Sequence, residues 1–348
     1  MATVVFRTTD GVEYQVPLDR GSTLLDAAAT AEMVLPSLCR KGHCGTCRAH
    51  LAAGVATVGE HLPDALSPTA EQPGDVLLCV TTANDDIVVD LPYDHSRISF
   101  TGPARRQATI TAVDRWPGDI VRLLMKMDDD PDAGAVLMYD AGQFAELTTP
   151  DGGVTRAYSF AAPTSWDGIV EFYVKLRPGG AFSTYLDQRA KVGDRLGVRG
   201  PMGAFTLRDN GLRPRWLVCG GTGLAPIMAM VRQMANEAAP NQTVLILGVE
   251  PPDGVYATDE FAALRDQLPG LRTVVTVADP AGQPWDGLVG TAVDALRTDC
   301  ETLPDNAERP DVYLCGPPEF LTAARECATK YGIPDDQIYE ESILVSAV

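Results

Sequence analysis

Four cysteines have a spacing that can hold an iron–sulfur cluster. Cys39, Cys44 and Cys47 follow the pattern C-x4-C-x2-C, and Cys79 comes after 31 further residues. This is the ligand spacing of plant-type [2Fe–2S] clusters, in which thiolates bind the two irons. The spacing therefore predicts that these four cysteines are metal ligands.

Two glycines, Gly42 and Gly45, lie within this cysteine loop. Glycine permits tight turns and lets backbone N–H groups approach sulfur. A structural zinc site is the first alternative, but such sites usually pair two short Cys-x2–4-Cys segments, and Cys79 has no neighbouring cysteine. A Rieske centre is the second, and it would need two histidines in place of two cysteines. We interpret His43 and His50 as surface residues.

A second group of residues suits a cofactor that carries both a phosphate and a flat ring. The segment Arg156-Ala157-Tyr158-Ser159 places Arg156 and Tyr158 on one face of a predicted strand. A guanidinium can bind phosphate with two parallel hydrogen bonds. Further along, Gly179, Gly180 and Ser183 mark a predicted helix start, which is a natural pyrophosphate site. The alternatives are a surface Arg–Tyr pair and an ordinary hairpin turn.

A third group follows the predicted strand 216–219. Gly221, Thr222 and Gly223 open an apolar helical stretch that continues to Met234, so phosphate can meet bare amides at a helix start. The segment is not the G-x-G-x-x-G dinucleotide motif. Glu250 closes the next predicted strand, and no Lys or Arg lies between residues 244 and 260.

An acidic side chain at the position of Glu250 can accept a hydrogen bond from a ribose 2′-hydroxyl and repel a 2′-phosphate. The sequence thus favours NADH over NADPH, with a solvated loop charge as the alternative. Cys315 and Gly316 end another predicted strand, 312–315, at the sheet edge where open α/β folds bind ligands. The remaining cysteines, Cys219, Cys300 and Cys327, are interpreted as small buried apolar residues.

The elements that must position these residues fall into three regions. Residues 1–97 mix short strands with one helix, which Thr23 is predicted to cap. Residues 98–211 show short apolar alternations between turns, which is typical of an antiparallel barrel. Residues 212–348 alternate apolar strands with helical stretches, which predicts a doubly wound parallel sheet.

Charge and composition exclude several classes of protein. The chain has 348 residues, with 28 basic and 47 acidic side chains and a net charge of −19. This charge repels nucleic acids and anionic membrane surfaces and favours cationic partners. Residues 1–97 alone carry 6 basic and 13 acidic side chains, or −7. No apolar run reaches the ~20 residues of a membrane span, and the first residues lack an export signal. We expect a cytoplasmic protein with reduced thiols.

Taken in order, the four cysteines, residues 156–159, residues 220–226 and the segment Cys315-Gly316-Pro317-Pro318 identify a family. Across nearly its whole length the chain resembles the NADH-dependent ferredoxin/FAD reductase components of bacterial multicomponent oxygenases. Residues 91–100 and 221–234 look most like the reductases of soluble di-iron monooxygenases that act on methane, propane or similar hydrocarbons.

The resemblance implies a plant-type ferredoxin β-grasp domain (1–97), an antiparallel FAD-binding β-barrel (98–211) and a doubly wound NAD-binding α/β domain (212–348). It implies roles for individual residues. Arg156 and the Gly179–Ser183 turn would bind the FAD pyrophosphate, Tyr158 would lie against the isoalloxazine and Ser159 near its N5. The NADH pyrophosphate would bind to the turn formed by Gly221, Thr222 and Gly223. The nicotinamide–flavin contact would be flanked by Glu341 and by Cys315, which Gly316 follows as a further cofactor-binding residue.

One segment departs from the family pattern. The family commonly ends in Glu-Lys-aromatic, whereas this chain has Glu341-Ser342-Ile343. Ile343 would then cover the flavin with aliphatic bulk in place of an aromatic ring.

The function implied is electron transfer from NADH through FAD and a [2Fe–2S] cluster to a terminal oxygenase, a di-iron hydroxylase, by a reductase that is monomeric when free. Flavin is the cofactor that converts a two-electron hydride into single electrons. Two alternatives stay open. The chain could serve a Rieske aromatic-ring-hydroxylating dioxygenase, or it could be a non-catalytic redox-sensing electron carrier.

Overall fold

In the computed structural model, which describes residues 2–37, 40, 42, 45–66, 74–100, 102–131, 134–304 and 306–343, the chain divides into two units. The first comprises residues 1–104 with 202–204, and the second comprises residues 105–201 with 205–348. The predicted fold class, which combines a small mixed α/β region, an antiparallel sheet and a doubly wound parallel sheet, is confirmed.

The first unit is a small sheet packed against one helix. Its five-stranded sheet has the order β2-β1-β7-β3-β5, and β4 pairs with β6. Thr23 caps the helix as predicted, because its hydroxyl oxygen accepts a hydrogen bond from the backbone N–H of Asp26 at 3.1 Å. The helix buries its apolar face against the sheet. The elements are β1 (Ala2–Arg7), β2 (Glu13–Leu18), α1 (Leu24–Thr30), β3 (Arg48–Ala53), β4 (Ala56–Val58), β5 (Asp75–Leu77), β6 (Thr81–Ala83) and β7 (Ile87–Asp90).

The second unit begins with a six-stranded sheet, the barrel sheet, in the order β11-β10-β13-β8-β9-β12. An antiparallel bridge between Phe160, just beyond β11, and Phe172 in β12 joins the two edges of this sheet. The sheet therefore curls so that its edges meet. Its elements are β8 (Ala104–Trp116), β9 (Ile120–Met127), β10 (Phe144–Thr148), β11 (Thr155–Ser159), β12 (Ile169–Lys175), α2 (Ala181–Gln188) and β13 (Arg195–Met202).

The rest of the second unit is a parallel sheet in the order β17-β16-β15-β14-β18-β19. The chain runs outward from β14 to one side and then returns to its other side at β18, so the strand order reverses between these two strands. Open α/β sheets bind ligands at such a point. The elements are β14 (Arg215–Gly220), α3 (Leu224–Asn236), β15 (Thr243–Val249), α4 (Thr258–Gln267), β16 (Leu271–Val277), β17 (Leu288–Val289), α5 (Ala292–Thr302), β18 (Asp311–Gly316), α6 (Pro318–Lys330) and β19 (Ile338–Ser342).

Alternation along the parallel strands divides the core into two layers. Leu217 and Cys219 pack with α3 on one face of the sheet, whereas Trp216 and Val218 pack with α5 and α6 on the other. The α3 layer also contains barrel residues, among them Tyr173. The barrel sheet and the parallel sheet therefore share one core, which is why they form one unit.

Within the described ranges, no helix combines the length and the apolar character needed to cross a membrane.

A histidine–aspartate pair in the first unit predicts that the stability of this unit depends on pH. The Nδ1 atom of His95 lies 2.5 Å from Oδ2 of Asp10, and the backbone N–H of His95 donates to Oδ1 of Asp10 at 3.1 Å. The hydrogen bond to Asp10, helped by the charges of Asp10 and Asp94, raises the pKa of His95. Folding therefore favours the protonated ring.

We predict that the first unit loses stability as the pH rises through the raised pKa of His95. The pair contributes fully below the unfolded histidine pKa of about 6.5 and fades above the folded one. Thermal unfolding followed by the visible signal of the cluster domain should show a smaller decrease in Tm between neutral and mildly alkaline pH for His95→Gln and Asp10→Asn than for the wild type. His61→Gln, which alters a ring whose Nδ1 lies 2.9 Å from the Gly59 carbonyl oxygen, is the control. Equal slopes in all variants would contradict the assignment.

Candidate functional site

The cysteine loop lies in the first unit. Cys47 and Cys79 are buried, while Cys39 and Cys44 lie outside the described residues. The backbone N–H of Gly42 donates to Sγ of Cys79 at 3.3 Å. A hydrogen bond of this kind favours an anionic sulfur. The bond fits a thiolate that is a cluster ligand.

Gly42 cannot carry a side chain at this position. Its φ of +73° is in the left-handed region, and an added Cβ would lie 2.8 Å from the carbonyl oxygen of Glu60 and 2.9 Å from the Cβ of His61. Gly45 also has a positive φ, of +71°. The glycines thus let the loop fold tightly with its amide near sulfur, as the sequence predicts, and the arrangement fits the predicted cluster.

The structure brings the flavin motif to the start of α2. Arg156 and Tyr158 lie on β11 opposite Leu147 and Ala145 of β10, so they share one face. The ring of Tyr158 lies 5.1 Å from that of Phe182 in the first turn of α2. Burial raises the pKa of Tyr158, which keeps its hydroxyl neutral. Arg156, which is predicted to bind phosphate, shares a strand face with the ring of Tyr158, and that ring lies beside the N-terminus of α2.

The turn before α2 leaves the helix N-terminus open. Gly180 is the N-cap and supplies no side-chain hydrogen bond, and Gly179 has a φ of +73°. The hydroxyl oxygen of Ser183 accepts a hydrogen bond from the backbone N–H of Arg177 at 2.9 Å. Ser183 therefore shapes the turn, while the amides at the helix start can bind a pyrophosphate. This geometry fits FAD.

The glycine turn after β14 has one open side and one closely packed side. At Gly221, whose φ is +53°, an added Cβ would meet nothing within 4 Å. At Gly223 an added Cβ would lie 2.1 Å from the carbonyl oxygen of Cys315. The turn is therefore held against β18 and leaves Gly221 accessible to a ligand. Thr222, between them, is partly exposed.

Tyr256 is a site residue that the sequence analysis missed. Its hydroxyl donates to the carbonyl oxygen of Gly221 at 3.0 Å, and its ring contacts Trp116 and Tyr173 of the barrel sheet. Tyr256 thus links the glycine turn to the barrel. The residue lies in a loop and belongs to no motif, so only the folded chain identifies it.

Cys315 and Glu341 are neighbours at the carboxyl edge of the parallel sheet. They are paired in register between β18 and β19, and Cys315 is also opposite Cys219 of β14. Burial raises the pKa of Glu341 to about 8, so this carboxyl is largely protonated at neutral pH. Burial, followed by the effects of Glu341 and Cys219, also raises the pKa of Cys315. The two side chains form a buried, uncharged polar pair.

The last described residue, Ile343, lies beside this pair. Its backbone N–H donates to the carbonyl oxygen of Gly316 at 2.9 Å, and its side chain packs partly buried against the α3 layer of the core. The tail is therefore tied to the sheet at the predicted edge. That Ile343 covers the flavin stays a prediction.

Glu250 follows β15 directly and is exposed. Its carbonyl oxygen accepts a hydrogen bond from the backbone N–H of Asp279 at 3.0 Å, which fixes the backbone after the strand. β15 is next to β14, and Gly248 is in register with Gly220. Glu250 therefore lies at the same sheet edge as the glycine turn, as expected for a group that contacts a ribose.

Three family models match the chain. The 2Fe–2S iron–sulfur cluster binding domain matches residues 7–84, the oxidoreductase FAD-binding domain residues 109–207, and the oxidoreductase NAD-binding domain residues 217–326. These matches confirm the predicted cofactors: FAD, a [2Fe–2S] cluster and NADH as cosubstrate. They also confirm the prediction that the protein is an oxidoreductase. The exact domain bounds 1–97, 98–211 and 212–348 stay a prediction, as do the roles of individual residues.

Curated relatives match most of the chain. Methane monooxygenase component C of Methylosinus trichosporium is 37% identical over 275 residues, which cover 78% of this chain and 80% of that protein. The toluate 1,2-dioxygenase electron transfer component of Pseudomonas putida is 33% identical over 340 residues, 97% of each chain. Among solved structures, an Amycolatopsis cytochrome P450 reductase aligns with a TM-score of 0.71 at 27% identity, covering 98% of each chain.

We predict that Glu250→Arg narrows the preference for NADH over NADPH. The exchange removes a ribose acceptor and adds a partner for a 2′-phosphate, and a hydrogen bond to a charged group contributes about 1.5–3 kcal/mol, or about ten- to a hundredfold in kcat/KM. Steady-state kcat/KM for both nucleotides measures the ratio. Asp266→Arg, exposed near the far end of α4, adds the same charge away from this edge and should leave the ratio unchanged. An unchanged ratio for Glu250→Arg would assign ribose recognition to another residue.

Proposed function

The chain belongs to the reductase components of multicomponent oxygenases, and we propose that its electron acceptor is the di-iron hydroxylase of a soluble hydrocarbon monooxygenase. The observation that carries the proposal is the 37% identity with methane monooxygenase component C. Residues 91–100 and 221–234, which resemble the di-iron reductases in sequence, support it.

The side chains of the site would bind and orient the cofactors. The amides of α2 and the guanidinium of Arg156 would hold the FAD pyrophosphate, and the Gly221–Gly223 turn would hold that of NADH. When bound, FAD accepts an electron pair as hydride and the [2Fe–2S] cluster accepts single electrons. The protein therefore needs positioning groups and no nucleophile.

The Cys315–Glu341 pair gives the nicotinamide end of the site its electrostatic character. Both groups are buried and largely uncharged at neutral pH. A neutral pair does not attract the positive charge of oxidised nicotinamide, whereas an ionised Glu341 would stabilise it. The protonated carboxyl can also donate a hydrogen bond to a polar group of the ring. The pair would thus orient nicotinamide without trapping its oxidised form.

A second acceptor has its own support. The 33% identity with the toluate 1,2-dioxygenase electron transfer component extends over 97% of both chains, more of this chain than the methane monooxygenase match covers. This observation favours a Rieske aromatic-ring-hydroxylating dioxygenase as the alternative acceptor. The cofactors and the site would serve either acceptor without change.

Reconstitution with purified oxygenases tests the proposal. The FAD- and cluster-loaded protein is combined with NADH and either a methane- or propane-type di-iron hydroxylase or a Rieske aromatic dioxygenase, each with its own substrate. We expect NADH-dependent product, close to one per NADH, with the hydroxylase and little with the dioxygenase. Coupled turnover with the dioxygenase alone would replace the proposal by its alternative. If the FAD-loaded protein oxidises no NADH with either oxygenase or with an artificial acceptor such as ferricyanide, that result would favour a non-catalytic carrier.

We predict that Cys47→Ser separates the two halves of the electron path. Loss of a cluster ligand should reduce oxygenase-coupled product to background, while NADH-to-ferricyanide turnover persists because the flavin and its site are unaltered. Iron content and both activities are measured on the same preparation. Cys327→Ser, which removes a partly buried thiol on α6, is the control and should retain both activities. Equal loss of both activities in a folded, FAD-loaded Cys47→Ser protein would contradict this path.

A further inference from the structure

A buried ion cluster joins the helix that carries the NADH turn to the strand that follows the flavin motif. Arg232 lies on α3, the helix that begins after Gly221–Gly223. Its partners on the barrel sheet are Glu171 and Tyr173 of β12 and the backbone carbonyl of Ala161. None of these residues belongs to the cofactor motifs identified in the sequence.

The guanidinium of Arg232 uses both of its terminal nitrogens. Nη1 donates to the carbonyl oxygen of Ala161 at 2.8 Å and to Oε2 of Glu171 at 3.0 Å. Nη2 donates to the hydroxyl oxygen of Tyr173 at 3.2 Å and to Oε1 of Glu171 at 3.4 Å, and it also binds Glu260 of α4. Because the guanidinium is planar and binds several acceptors at once, it fixes both the distance and the relative orientation of the elements that it joins.

Glu171 is the centre of the cluster on the barrel side. Its side chain exposes only 6% of its surface, and that of Arg232 exposes 16%. A second guanidinium, that of Arg122 on β9, donates from Nε to Oε1 of Glu171 at 2.8 Å. Buried charges are costly to leave unpaired, so the cluster resists separation of α3 from β12.

The cluster is hydrogen-bonded to the backbone next to the predicted flavin contacts. Ala161 is two residues beyond Ser159, and its N–H donates to the carbonyl oxygen of Glu171 at 2.8 Å. At the other end of α3, Gly223 packs against the backbone of Cys315. A continuous set of contacts therefore runs from the flavin strand through Arg232 and α3 to the nicotinamide end of the site.

We propose that Arg232 and Glu171 are positioning residues that set how the nicotinamide of NADH approaches the flavin. Within the described part of the chain, the hydrogen bonds recorded for the two side chains go to residues outside the cofactor motifs, so the pair acts by fixing α3 relative to β12. The proposal goes beyond the proposed function, since it concerns the step between NADH and FAD and holds for either class of oxygenase. Its failure would leave the assignment of the acceptor untouched.

Arg232→Lys tests the proposal because it keeps the positive charge but removes the planar guanidinium and its several directed N–H donors. The FAD- and cluster-loaded full chain is mixed anaerobically with NADH, and the limiting rate of flavin reduction, the NADH Kd and the FAD content are measured. We expect a limiting rate reduced about ten- to a hundredfold, the effect of a small misplacement of reacting groups, with Kd within about twofold of the wild type. The control Arg272→Lys alters another ion pair, with Asp299, and should change neither quantity.

A spectroscopic measurement separates positioning from stability. NAD+ added to the chemically reduced protein reports ring-on-ring contact by its long-wavelength charge-transfer absorbance, without turnover. We expect this band to weaken in Arg232→Lys and in Glu171→Gln, which keeps the side-chain shape and serves if the lysine variant loses FAD. A normal limiting rate and a normal band in the FAD-loaded variants, whatever their Tm, would overturn the proposal. So would a change in Kd alone.

Discussion

The close approach of Gly223 to the backbone of Cys315 is the constraint on which the site depends. An added Cβ at Gly223 would overlap the Cys315 carbonyl at 2.1 Å, so only glycine lets the turn after β14 rest on the end of β18. That contact brings the glycine turn beside Cys315 and its register partner Glu341. Because the strand order reverses at the same two strands, the loops diverge there and leave room for a ligand.

The shared core extends this arrangement to the flavin side. Tyr173 of the barrel sheet packs in the same layer as α3, and Tyr256 hydrogen-bonds to the glycine turn while its ring meets Trp116 and Tyr173. Apolar packing alone is non-directional. At the edge of that layer, the planar guanidinium of Arg232 makes directional hydrogen bonds that fix the orientation of α3 relative to β12. Apolar contacts alone would let the two elements slide past each other.

The structure of the cysteine loop depends less on buried apolar area than on a tight turn and on a backbone N–H that points at sulfur. Gly42 supplies both, through its positive φ and its N–H bond to Cys79. In the parallel sheet, by contrast, burial sets the chemistry: it raises the pKa of Glu341 to about 8. The two places thus differ in their electrostatics: a hydrogen bond favours an anionic sulfur at the cysteine loop, whereas burial disfavours charge at Glu341, where the nicotinamide is proposed to lie.

Local patterns in the sequence determined the elements and the cofactors. The cap at Thr23, the strand before Gly220, the start of α2 after Gly180 and the cysteine spacing all depend on neighbouring residues, and sequence records neighbours directly. Tyr256, Arg232 and Glu171 carry no local pattern, and only the tertiary structure placed them at the site. Arg232 and Glu171 are 61 residues apart in the chain. Their pairing depends on where the barrel packs against α3, and that is decided by the complementary shapes of two layers that form only when the whole unit folds.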